Sequence, residues 1–68
     1  MTPSRVEFTL RLVVGFPEVH HLVIYQDGEF VSSAYRRWDH PYPVSAIVDQ
    51  YRQAYPEDEI VFRDLTIQ

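Results

Sequence analysis

A chain of 68 residues with a formal net charge of -4 and 46% hydrophobic residues has material for one core, because a domain near this size buries only about 60% of the surface its unfolded chain exposes. Cysteine is absent, which excludes disulfides and thiolate metal sites, whereas five Tyr, four Phe and one Trp exclude the composition of a disordered chain. The acidic balance gives up the counterion-release term behind most phosphate binding and places nucleic acid behind other partners.

All six cations are Arg, a pattern read first as GC-rich codon usage and second as interface chemistry, since the guanidinium fork pairs and stacks better than an ammonium group. The start of the chain, Met1-Thr2-Pro3-Ser4-Arg5, lacks the basic and apolar regions of a signal peptide. The longest apolar stretch, Leu12 to Phe16, is too short to span a bilayer. A cytoplasmic protein without a membrane partner is expected.

From Val6 to Val14 every even position is apolar, while Glu7, Thr9 and Arg11 fall between them, the period of a half-buried strand. Gly15-Phe16-Pro17-Glu18 predicts a turn. His20 to Gln26 and Glu29 to Arg36 predict two further strands joined by Asp27-Gly28, the pair best suited to the positive φ values of a type I′ hairpin. A regular two-residue hairpin places Tyr25 opposite Phe30, Ile24 opposite Val31 and Leu22 opposite Ser33. Arg37 to Pro43 predicts a stiff loop, because Pro41 and Pro43 restrict themselves and the residues before them.

Val44, Ile47, Val48, Tyr51 and Tyr55 then recur at helical spacing, with Asp49, Gln50, Arg52 and Gln53 on the opposite side and Pro56 as a stop. After the acidic turn Glu57-Asp58-Glu59, Ile60 to Ile67 predicts a last strand. The expected fold is a single α+β domain over residues 1–68, β-β-β-α-β. Its mixed four-stranded sheet has order 3-2-1-4, with one helix packed on one face and a right-handed crossover to the last strand. The predicted core is Leu10, Leu12, Ile24, Val31, Ile47, Val48, Tyr51 and Phe62.

Motifs for chemistry are sparse. His20 and His21 are strand neighbours and point to opposite faces, so they cannot close on one ion, and a site with His40 and Asp39 needs the proline loop to fold back. Ser32 and Ser33 lie mid-strand without a nucleophile elbow, and two glycines make no phosphate loop. No enzyme activity, metal or cofactor is expected. The acidic turn reads as an ordinary solvated one.

Arg36-Arg37-Trp38-Asp39-His40-Pro41-Tyr42-Pro43 is the most informative stretch, because Trp, Tyr and Arg are the types enriched at interface hot spots and prolines lower the entropy cost of presenting them. Trp38 is read equally as a lid on the core. The hairpin is apolar on both sides: Leu22, Ile24 and Val31 on one, Val23, Tyr25, Phe30 and Ala34 on the other. One helix covers one face, so the other calls for a partner. The candidate partner-binding residues are Tyr25, Phe30, Arg36, Arg37, Trp38, Asp39, His40 and Tyr42, and the partner is another protein or a second copy of the chain. The alternatives are nucleic-acid binding through Arg36, Arg37, Arg63, Trp38 and Tyr42 and a homodimeric structural protein. The stretch from Pro43 through Tyr51-Arg52-Gln53-Ala54-Tyr55-Pro56 to Ile60-Val61-Phe62 resembles the helix-then-strand half of short bacterial and phage reading frames. That resemblance implies a small accessory protein or inhibitor from a mobile element.

Overall fold

The computed structural model describes residues 3–66. Strands β1 (Arg5–Val13), β2 (Phe16–Gln26) and β3 (Glu29–Arg37) form an antiparallel meander, followed by helix α1 (Val44–Ala54) and strand β4 (Glu59–Asp64). β4 lies parallel to β1 on its free side, so the sheet order is β3-β2-β1-β4. This is the α+β architecture that the strand and helix periods predict.

The alternation in β1 sets the core. Phe8 lies opposite Ile24 of β2 and Phe62 of β4, Val6 opposite Ile60, and Leu10 opposite Leu22, so the even positions form one apolar row across three strands. α1 lies over that row with Val44 and Val48 buried. Ile24, Ile47, Tyr51, Ile60 and Phe62 pack against the resulting cluster. Each fully buried side chain of this kind stabilises the fold by about 1.5–3 kcal/mol. Pro43 opens the helix with an extended backbone (φ -69°, ψ 156°) and no side-chain cap, a position where a missing N–H costs nothing. At the other end the Tyr55 N–H donates to the Tyr51 carbonyl at 2.9 Å, and Pro56 prevents another turn.

The β2–β3 turn is the expected one: Asp27 and Gly28 both take positive φ, 52° and 85°. Beyond it the register departs from expectation. Tyr25 faces Phe30, but a bulge follows, so that Ile24 faces Ser32 and Leu22 faces Ala34, not Val31 and Ser33. The extra residue, Val31, lies on an edge strand and is exposed, which removes it from the predicted core. Ala34 correspondingly moves to the helix side. Leu12 is also outside the core, 46% exposed, because pairing with β4 ends at Leu10 and leaves Leu12 a neighbour on one side only. β2 begins at Phe16, through the predicted turn. Pro17 is tolerated there because it falls in the irregularity between Leu12 and Val13, where β1 offers it no regular ladder bond. The last strand ends at Asp64, and Ile67 lies outside the described residues.

Candidate functional site

The face turned away from α1 is built by the odd positions of β1, and with them come His21, Val23 and Tyr25 of β2, Ser33 and Tyr35 of β3, and Val61 and Arg63 of β4. Phe30 joins Tyr25 there, their rings edge to face at 6.5 Å. One bulge further along, His21 and Tyr35 stack at 4.5 Å with planes 13° apart. Thr9, at the centre between Val23 and Arg63, is only 3% exposed because longer neighbours screen it. Arg5, Arg11, Arg63 and, at the strand end, Arg37 occupy positions on this face, four of the six arginines, and three of them meet a carboxylate, Arg5 with Glu59, Arg63 with Glu7 and Arg37 with Asp39. Arg63 meets Glu7 at 3.6 Å and Arg5 meets Glu59 at 3.3 Å, exposed pairs of little energetic weight.

A second feature lies where β1 turns into β2. Val14 is 97% exposed and Phe16 56% exposed around Gly15, whose φ of 83° sharpens the turn. The Trp38 N–H donates to the Glu18 carbonyl at 3.0 Å, extending the β2–β3 ladder and bringing the indole, 64% exposed, to the same end of the sheet. Leu65 arrives there too, its N–H bonded to the Leu10 carbonyl at 2.8 Å, and its side chain is exposed. Leu12, Val14, Phe16, Trp38 and Leu65, all exposed, thus give this end of the sheet an apolar character.

The proline loop is tied down beside it. The Arg36 guanidinium donates to the Tyr42 carbonyl, and the Tyr42 N–H donates to His40 Nδ1 at 3.0 Å. Arg37 grips Asp39 through Nε at 3.0 Å. That hydrogen bond holds the Asp39 carboxyl below its usual range and raises the Arg37 guanidinium above its own. Between loop, sheet and helix start lies a cleft of about 180 Å³ lined by His20, Arg36, Trp38, His40, Phe62 and Asp64. It is smaller than the roughly 300–1,000 Å³ of ligand pockets. Among the described residues no three His, Asp or Glu side chains converge as metal ligands.

The eight predicted site residues therefore fall into two groups. Tyr25 and Phe30 sit near the hairpin, while Arg36, Arg37, Trp38, Asp39, His40 and Tyr42 sit at the other end of β3. Six residues of strand, about 20 Å at 3.4 Å per residue, separate Phe30 from Arg36. Trp38 is a surface residue, not a lid. Sequence reasoning missed Val14, Phe16 and Leu12 as exposed apolar residues, although Leu12 to Phe16 is the longest apolar run. It also missed the His21–Tyr35 stack, which exists only because the bulge shifts Tyr35 opposite His21. No family model, curated protein or solved structure matches the chain, so its functional reading rests on its own residues.

Proposed function

We propose that the chain is a non-enzymatic protein-binding module that anchors a partner through its apolar end. The observation that carries this reading is the convergence of the β1–β2 turn and the Trp38 loop at one end of the sheet. Val14 is almost fully exposed there, and Phe16 and Trp38 are exposed at the same end. Such side chains lose most of their contact with water only in the pocket of another molecule, and truncating an aromatic anchor such as Trp38 costs about 2 kcal/mol or more of binding. Arg36 and Arg37 stand at the rim, with guanidinium groups suited to backbone carbonyls and carboxylates, so the partner surface expected is an apolar groove with acidic margins.

A photo-crosslinking side chain at position 14 tests the reading, with the same group at exposed Gln50 on the outer side of α1 as reference. A discrete adduct from position 14 and none from position 50 supports it. Equal adducts from both positions, or none from either, overturns it.

A second reading is favoured by one observation, the placement of four arginines on the open face beside stacked aromatic rings. That arrangement suits single-stranded nucleic acid, whose bases stack on aromatic side chains while guanidinium groups meet phosphates. Salt separates the readings: phosphate contacts weaken steeply as salt rises, and an apolar anchor does not.

A further inference from the structure

The two edges of the sheet are protected very differently. β4 is short, its apolar centre Ile60-Val61-Phe62 is half-buried, and charged Glu59, Arg63 and Asp64 flank it. β3 is longer and open along its length. From Phe30 to Tyr35 it runs Phe-Val-Ser-Ser-Ala-Tyr, six residues without a charge, a proline or a glycine. Natural proteins usually interrupt such an edge with Lys, Pro or an inward charge, because its free N–H and C=O groups recruit another strand. The Trp38 N–H bonds inward to Glu18, so alternation along the ladder points the backbone groups of Ser33 and Tyr35 outward. The one irregularity, at Val31, lies towards the hairpin and leaves Ser32 to Arg37 regular.

The ends of the edge say which strand it recruits. Glu29 stands at one end and makes no ion pair among the described residues, and Arg36 stands at the other on the same face of the sheet, next to Arg37, which Asp39 already holds. We infer that β3 pairs antiparallel with β3 of a second copy of the chain about a two-fold axis at Ser33, joining two sheets into one of eight strands. In that register, with Val31 and Ser32 sharing one position at the bulge, Glu29 of each copy meets Arg36 of the other, Phe30 meets Tyr35, and the six neutral residues face one another. Parallel pairing sets like charges together at both ends. The inference is independent of the proposed anchor. The two-fold axis leaves both apolar ends free and pointing in opposite directions, which makes the dimer bivalent.

Sedimentation equilibrium of the whole chain, with far-UV circular dichroism to check folding, is the test. The wild-type chain is expected to dimerise, and Ser33→Pro, which removes an outward N–H an edge strand does not use internally, to be folded and monomeric. Glu29→Arg alone and Arg36→Glu alone should each raise the dimer dissociation constant at least about tenfold, whereas the two combined should recover most of the loss. A wild-type chain that is monomeric up to about 1 mM overturns the inference, as does a folded Ser33→Pro that still dimerises. If Ser33→Pro fails to fold, the charge reversals decide: recovery in the combined variant supports the pairing, and additive loss or no effect overturns it.

Discussion

The ring of Tyr51 stands edge-on to the buried ring of Phe8, centroids 5.4 Å apart and planes at 74°. This pair joins α1 to the middle of β1, the strand with neighbours on both sides. Phe8→Ala should cost about 3–5 kcal/mol, enough to unfold a domain whose single core supplies little more than about that margin. Phe8→Leu, which keeps most of the volume, should cost under about 1.5 kcal/mol. Urea titrations of the three proteins check the order, and an Ala variant with the parent's midpoint would show that the row opposite Ile24 and Phe62 does not hold the sheet to the helix.

Burial pushes the Tyr51 hydroxyl above the ordinary tyrosine value of 10.0, with Tyr55 and Asp58 adding to the shift. A raised folded value means that the folded state favours the neutral phenol. The stability this contributes is fully present below pH 10 and is lost as pH climbs through the raised value. Tyr51→Phe should remove the late-titrating part of the tyrosinate absorbance and flatten the alkaline fall in stability. A variant that titrates and melts in alkali like the parent would contradict the assignment.

Asp27 and Arg5 clasp each other twice. The Asp27 N–H donates to the Arg5 carbonyl at 2.8 Å, and the Arg5 N–H donates to the Asp27 carboxylate at 2.9 Å. The clasp fixes the hairpin tip to the start of β1. Asp27→Ala should cost about 1–2 kcal/mol, from the lost hydrogen bond and from a side chain less tolerant of positive φ. Asp27→Asn, which keeps both features, should cost much less. Thermal melts of the pair measure the difference.

Replacing Tyr25 and Phe30 together with Ser should leave the domain folded, because Phe30 is exposed and both rings lie on the face away from α1. It should also leave partner capture intact, since the anchor is at the other end of the strands. Val14→Asp combined with Phe16→Asp should change stability by no more than about 0.5 kcal/mol and abolish capture. Should the first variant lose the partner and the second keep it, the anchor lies on the open face.

The even-position run in the first strand, the Asp27-Gly28 turn and the Val44 to Tyr51 stripe were legible because each is a local pattern with one periodic solution. Sheet order followed from those elements and the handedness of the crossover. The bulge at Val31 was not legible, since nothing in Phe30-Val31-Ser32 marks the residue to be skipped, and that slip sent Ser33 and Ala34 to the wrong sides. The apolar end was hidden for another reason. Leu12 to Phe16 reads as core by hydropathy, and only the ending of β4 opposite Leu10 shows that the sheet is too narrow there to cover it.

β1 has a consequence for how the chain reaches this state. Its second neighbour, β4, comes from the far end of the sequence, so that the Ser4 N–H donates to Asp58 across 54 positions. The meander and its tight turns are local and form without waiting, but closing the longest loop is an entropic toll collected late. Until β4 docks, β1 is itself an edge, with Val6, Phe8 and Leu10 uncovered on one flank. A nascent or heat-stressed chain therefore presents two adhesive margins where the finished one presents one. Aggregation should accordingly track the population in which β4 is detached, and variants that loosen β4 should aggregate before they lose the signal of the hairpin.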